Sequence, residues 1–480
     1  MVEMFDASIG KGTVLMPYGG KTQMTREEGM VALIPTLDET TTASVMTYGF
    51  VPQISDDHPY LSSQYGVVMA LARMTALGAD YRKARLTCQE YFERLEKDPV
   101  RWGKVTSALL GLVTAQEAFG TPAIGGKDSM SGTFEDLDVP PTLVTFAVTT
   151  MKKDEVIDAS LKGNGHLYLV RHTPRAENLP DYEGLRSIFA RVYEEGQKGN
   201  LLSASTIKTG GILEAVLKAA FGNKTGFEVS TDTPVNAFLP GSFLVETKEV
   251  VEDPAWEKLG TTGGDAYRMN GVSLDLDSLM EAAMARYESV YPTKTVPEKM
   301  ETEFALTRAG KIYYHECIEN PTVTIPVFPG TNCEYDTAKS FEQEGACVEI
   351  VVFRNRTKEE VEESVAKLAD AIDHTHILSL VGGFSAGDEP DGSGKFIANV
   401  LMNAKVKSAI ERFLARGGLI LGICNGFQAL VKSGLLPTGK IDAIEKDSPT
   451  LFNNAIGRHI SQIVSTKVIS TKTPWMNACE

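Results

Sequence analysis

At 480 residues the chain is too long for one ordinary domain, and 42% hydrophobic with 23% charged residues is the balance of a globular protein with sizeable cores. A formal net charge of -16 argues against a nucleic-acid partner, which would require a basic face to neutralise phosphates. No apolar run reaches the ~20 residues of a membrane-spanning helix and the opening MVEMFDASIGKG has no signal-like apolar core, so no membrane is expected and a cytoplasmic setting is.

The first region, 1–150, alternates strand-like and helical stretches. Tyr65 to Leu77 predicts a helix ended by Gly78, and Arg101 to Phe119 another ended by Gly120, each with glycine where the chain must turn left-handed. Leu143 to Val148 (LVTFAV) is a continuous apolar run, the pattern of a strand buried on both faces. The second region, 151–290, offers a strand at His166 to Val170, a helix at Gly211 to Phe221 and a strand at Ser242 to Glu246. Residues 291–321, rich in Pro and poor in periodic apolar positions, read as a linker.

From 322 to 480 the alternation becomes regular. Strands are expected at Val323 to Phe328, Cys347 to Phe353, Ile377 to Val381 and Leu419 to Ile423. Helices fall between them at Asp336 to Glu344 and Ala404 to Arg416, the arrangement of a parallel sheet.

Six cysteines, at 88, 317, 333, 347, 424 and 479, form no CxxC pair, so reduced thiols are expected rather than a disulfide framework or zinc site. Most free cysteines are simply small buried residues, and five of the six are read that way. Cys424 differs. It lies in Gly422-Ile423-Cys424-Asn425-Gly426-Phe427-Gln428, with a buried strand before and a helix after. Glycines on both sides permit a sharp turn that lifts the thiol above the strand's carboxyl end. A helix N-terminus favours the thiolate, the nucleophilic form, and the N–H of Asn425 would face a developing oxyanion.

GxCxGxQ resembles the glutaminase signature of class I glutamine amidotransferases. Pro329-Gly330-Thr331-Asn332-Cys333 and Gly382-Gly383-Phe384-Ser385-Ala386-Gly387-Asp388 are similar to the matching segments of the phosphoribosylformylglycinamidine (FGAM) synthase family. The resemblance implies Cys424 as nucleophile, Gly383 as a second oxyanion-hole donor beside Asn425, and Gln428 as a contact of bound glutamine. The histidine base of such a site, in a His-x-Glu segment, should follow the cysteine. The only later histidine, His459, sits in Asn454-Ala455-Ile456-Gly457-Arg458-His459-Ile460, which does not match. The chain is therefore expected to be truncated before its base, and idle alone as a glutaminase.

Residues up to 290 resemble the second of the two related halves of the same synthase, most specifically at Gly125-Gly126-Lys127-Asp128-Ser129-Met130-Ser131. Read physically, this is a glycine turn offering N–H groups, a cation, a carboxylate and hydroxyls, a set suited to a Mg²⁺-nucleotide. Gly126, Lys127 and Ser129 would meet nucleotide or substrate and Asp128 the metal. At Thr206-Ile207-Lys208-Thr209-Gly210-Gly211 the family often carries a carboxylate and this chain has none, leaving Lys208 as an exposed lysine. The implied fold is α/β and α+β multidomain: two synthase α/β subdomains, then a doubly wound, flavodoxin-like glutaminase domain. The implied reaction is ATP- and Mg²⁺-dependent amidation of formylglycinamide ribonucleotide with ammonia drawn from glutamine, alongside the other synthase half. Two rival readings stand beside it: a cysteine-elbow hydrolase of peptidase type, and a non-catalytic nucleotide-binding scaffold.

Overall fold

The computed structural model describes residues 12–36, 38–290, 292, 318–386, 394–441, 444–458, 460, 466–468, 470–471 and 473–476. They fall into two compact units, one of the described residues up to 292 with Ile460, the other of those from 318 to 458 and from 466 to 476. Among them no helix is long and apolar enough to cross a membrane.

The first unit contains two large sheets and, among the described residues, two small two-stranded ones. The six-stranded one runs, in spatial order, Thr13–Leu15, Met30–Leu33, Thr42–Gly49, Thr142–Lys152, Arg85–Tyr91 and Ala123–Lys127. Every pairing in it is antiparallel except the last, where the edge strand Ala123–Lys127 runs parallel to Arg85–Tyr91. The seven-stranded sheet is built on Leu201–Thr206, Phe243–Thr247, His166–Val170 and Trp256–Thr262, all antiparallel, and continues through Phe227–Val229, Tyr267–Met269 and Val272–Ser273. Helices and strands mix here as the sequence suggests, but the strands run mainly antiparallel; in the six-stranded sheet Thr42–Gly49 and Thr142–Lys152 alternate buried with less covered residues, while Phe243–Thr247 of the seven-stranded sheet is buried throughout.

That corrects the reading of Leu143 to Val148. The strand extends over Thr142–Lys152, with Leu143, Thr145, Ala147, Thr149 and Met151 buried and the residues between them less covered. A central antiparallel strand shows this alternation, whereas a parallel one is covered on both sides.

Helix Pro59–Ala76 is buried almost all round, including Ser62, Ser63 and Gln64, and so lacks the stripe of a surface helix. It packs against helix Pro99–Phe119, the strands Thr42–Gly49 and Thr142–Lys152, and Leu201–Thr206 of the second sheet. Its C-terminus meets Gly78 and that of Pro99–Phe119 meets Gly120, both at positive φ as expected. Gly49 lets the sheet touch the helix backbone, because a Cβ there would lie 1.9 Å from the Gly66 carbonyl oxygen.

The second unit is a four-stranded, wholly parallel sheet in the order Cys347–Val352, Thr322–Val327, Ile377–Leu380, Leu419–Gly422. Helices Glu334–Gln343, Lys358–His374, Lys395–Met402 and Ala404–Ala415 connect the strands. Val406, Ile410 and Phe413 of Ala404–Ala415 are buried on one face, joining Leu378, Leu380, Leu368 and Ile372 in the core. The four strands expected at 323–328, 347–353, 377–381 and 419–423 each form within a residue of those limits, and the strand expected over 460–469 lies largely outside the described residues.

Candidate active site at the cysteine elbow

Three turns leave the carboxyl ends of strands Thr322–Val327, Ile377–Leu380 and Leu419–Gly422, the side of a parallel sheet where ligands bind. The third carries Cys424. Its backbone sits at φ 51°, ψ −106°, outside the regions L-residues favour, between the strand and helix Asn425–Lys432. Such a conformation persists only where the surroundings impose it, and here they do. Glycine is required on both sides: a Cβ on Gly422 would stand 2.5 Å from Leu430 Cδ1, and one on Gly426 only 2.0 Å from the Leu380 carbonyl oxygen. The helix therefore lies directly on the sheet, and the turn must be tight. Cys424 is exposed, as are Ile423, Phe427 and Phe384 beside it.

The second turn, Gly382-Gly383-Phe384-Ser385, is fastened to the elbow from two sides. Asn425, only 2% exposed, accepts a hydrogen bond on Oδ1 from the Ser385 N–H at 3.3 Å and donates from Nδ2 to Gln428 Oε1 at 3.1 Å. Asn425 thus ties Gln428 to the glycine turn, a role beyond the oxyanion contact expected of its N–H. Gly382 separates Cys424 from the first turn: an ideal Cβ on it would be 3.5 Å from Cys424 Cβ and 3.2 Å from Cys333 Sγ. The first turn is in its place through Phe384 N–H donating to Gly330 O at 2.8 Å and a bridge between Thr331 and Gly383.

Cys424, Gly383, Asn425 and Gln428 are therefore brought together as expected. Cys347 is exposed rather than buried, and Cys333 departs from the ordinary buried cysteine expected as well. It is half-buried at the start of helix Glu334–Gln343, with its thiol donating to Asn332 Oδ1 at 3.1 Å. Burial first, then the charges of Cys424, Asp336 and Glu334, push that thiol up from its ordinary value. Its position in the Pro329–Cys333 segment was the available signal. Gly387, Asp388 and His459 lie outside the described residues.

In the first unit, Gly125, Gly126 and Lys127 form no turn. They continue the edge strand Ala123–Lys127, pairing with Thr87, Cys88 and Gln89. Gly126 is needed for that pairing, since a Cβ would fall 2.3 Å from the Cys88 carbonyl oxygen. The whole strand is exposed, Ile124 to 74%. Beyond it the Ser129 N–H donates to Glu90 O at 3.1 Å, which sets Asp128 beside Glu90. The Glu90 carboxyl stands above its ordinary range, first through burial and then through the charge of Asp128. Lys127 Nζ reaches the Asp128 carbonyl oxygen at 3.3 Å, and Ser129 and Ser131 hydroxyls are 2.8 Å apart. Sequence reasoning missed Glu90, because nothing local marks it.

Lys208 is not the exposed lysine expected. It pairs with Glu28, whose side chain is fully buried, while Arg73 approaches the other Glu28 oxygen at 3.6 Å and Thr206 donates to it at 2.8 Å. Burial alone would raise the Glu28 carboxyl; the Lys208 and Arg73 cations outweigh it and hold it below the usual range. The cation has been placed where the buried carboxylate requires one.

Residues 320–480 match the CobB/CobQ-like glutamine amidotransferase domain family. The phosphoribosylformylglycinamidine synthase subunit PurQ of Dehalococcoides mccartyi is 40% identical over 130 residues, 27% of this chain and 46% of that protein. PurQ of Thermotoga maritima is 31% identical over 160 residues, 33% of this chain and 61% of that protein. The chain thus spans about half the length of the curated relatives it matches. The structure of PurLQS from Thermotoga maritima aligns with 53% of this chain and 39% of that chain at a TM-score of 0.42 and 17% identity. By sequence, the region that holds the Cys424 elbow is similar to a glutamine amidotransferase domain.

Proposed function

We propose that Cys424 of residues 320–480 is the nucleophile of a glutaminase site that draws ammonia from glutamine once a histidine base is supplied, and that the chain serves the ATP-dependent amidation of formylglycinamide ribonucleotide in purine biosynthesis. The observation that carries this reading is the exposed Cys424, held at positive φ on a strand-to-helix elbow with the Gly382-Gly383 turn against it. A thiolate there attacks the carboxamide carbon of glutamine, ammonia leaves, and water later releases glutamate from the thioester. N–H groups of Gly383 and Asn425 would stabilise the oxyanion, and Gln428, oriented by Asn425, would hold the substrate.

For the amidation itself, Asp128 and Glu90 suit Mg²⁺. Magnesium is commonly held by one or two carboxylates plus phosphate oxygens and water, and a cation would favour the charged form of Glu90, which burial and, second, the charge of Asp128 oppose. Lys127 and Ser129 would take phosphate oxygens. When bound, Mg-ATP would supply the phosphoryl group that converts an amide oxygen into a leaving group. The companion synthase half is the proposed partner.

A chloroketone analogue of glutamine tests the reading directly. Peptide mass spectrometry is expected to find the label on Cys424, with glutamine protecting and Cys424→Ala abolishing it. Labelling spread over Cys347 and other thiols, unaffected by glutamine, would sink the glutaminase assignment. Asp128→Asn, with affinity for Mg-nucleotide measured by calorimetry, tests the second site; unchanged affinity would remove Asp128 from it.

A further inference from the structure

We propose that Cys333 is the resolving thiol of a redox switch that closes Cys424 as an intramolecular disulfide. The two side chains flank one point: an ideal Cβ on Gly382 would lie 3.2 Å from Cys333 Sγ, 3.7 Å from Cys333 Cβ and 3.5 Å from Cys424 Cβ. Gly382 has no side chain to fill that point, so nothing of its own stands between them. Disulfides form at a Cβ separation of roughly 3.8 Å; both Cβ atoms lie within 3.7 Å of this one point, and closing the bond takes whatever approach of the 329–333 turn brings them to that separation. The charge of Cys424 already bears on the Cys333 thiol.

The two sulfurs are in unequal settings, as such a device requires. Cys424 is exposed at a helix N-terminus, the environment in which peroxides oxidise thiols. Cys333 is half-buried, holds its proton more tightly than an ordinary thiol, and is anchored to Asn332. It is a poor first target and a well-placed second one.

The chemistry balances with a peroxide as oxidant. The Cys424 thiolate takes the terminal oxygen, the O–O bond breaks, and the alkoxide or hydroxide released is protonated to alcohol or water. Sulfur is oxidised by two electrons to the sulfenic acid and the peroxide is reduced by two. The Cys333 sulfur then attacks the sulfenic sulfur, the S–S bond forms, the S–O bond breaks, and hydroxide leaves with the Cys333 proton as water. Two equivalents of an external thiol reverse the sequence and restore Cys424. The disulfide also guards Cys424 from the sulfinic stage, which thiols do not reverse.

The full chain is treated with hydrogen peroxide, free thiols are alkylated, and unreduced peptides are mapped by fragmentation, which separates Cys333 from Cys317 on their shared peptide. A Cys333–Cys424 cross-link is expected, with Cys424 alkylation restored by dithiothreitol. In Cys333→Ser and Cys333→Ala the cross-link is lost and Cys424 proceeds to sulfinic acid, which dithiothreitol does not rescue; far-UV circular dichroism checks that both variants are folded. Sulfinic acid forming equally fast with Cys333 present, or Cys424 pairing with any other cysteine, overturns the proposal. Glutamine-protected chloroketone labelling is scored separately, so loss of the switch leaves the glutaminase reading standing, and the reverse.

Discussion

The Cys424 elbow and the Glu28–Lys208 pair both hold a reactive or charged group in a conformation that costs free energy, yet they are built differently. The elbow is local: strand, cysteine and helix lie within residues 419–432, and two glycines, each two residues from the cysteine, enforce the geometry. The ion pair joins residues 180 positions apart, on the turn before strand Met30–Leu33 and the end of strand Leu201–Thr206. A parallel sheet delivers its loops to one edge in chain order. The antiparallel unit assembles its polar centre from hairpins and strands that meet only when both sheets are in place. The first device should therefore tolerate damage elsewhere in the chain, and the second should transmit it.

Replacing Lys208 by Met is the most severe way to probe the contrast. It leaves the fully buried Glu28 carboxylate with Arg73 at 3.6 Å and is expected to cost on the order of 3 kcal/mol. Urea unfolding followed through buried Trp256 reads the first unit. Adding Glu28→Gln should recover most of the loss; no recovery would mean the pair is not what holds this region.

Glu27 probes the same region through pH. Its carboxyl is pushed up to about 8, first by burial, against a hydrogen bond from the Ala159 N–H and with the charges of Asp158 and Glu28 adding to the rise. The folded chain therefore keeps a proton that the unfolded chain releases near 4.5. The associated stability is full below that value and is lost as pH rises to about 8, a change of a few kcal/mol at most. Glu27→Gln is expected to flatten this fall; an unchanged slope would place its origin elsewhere.

The elbow is broken by smaller means. Gly426→Ala puts a methyl 2.0 Å from the Leu380 carbonyl oxygen and is expected to cost about 1–3 kcal/mol. The same change should slow chloroketone labelling of Cys424 while leaving the Trp256 transition in place; a shift of that transition would contradict the locality of the elbow. Asn425→Ala removes the side-chain hydrogen bonds that join Ser385 and Gln428, among its contacts, for about 1 kcal/mol. Protection by glutamine should weaken more than the intrinsic labelling rate, because Gln428 loses its orientation.

The parallel unit was legible because its signals are contiguous. Apolar runs bounded by Gly417-Gly418 and Gly422 mark a strand, and GxCxGxQ marks the turn that follows. The Gly125–Lys127 stretch misleads for the opposite reason. Its glycines suggested a turn, but their use is set by the Cys88 carbonyl of a strand 38 residues earlier, against which only glycine can pair. Lys208 misleads likewise, since its partner Glu28 is invisible from its own neighbours.

By itself the sequence determined the strand–cysteine–helix order around Cys424, because period, glycine placement and the helix start are all encoded within a few residues. It also determined the parallel alternation after residue 322. Tertiary structure alone decided that the first unit's strands pair mainly antiparallel, that Asp128 sits beside Glu90, and that Cys333 and Cys424 both lie close to Gly382. Each of these depends on which backbone approaches which, and a distance between remote segments is written in no single stretch of chain.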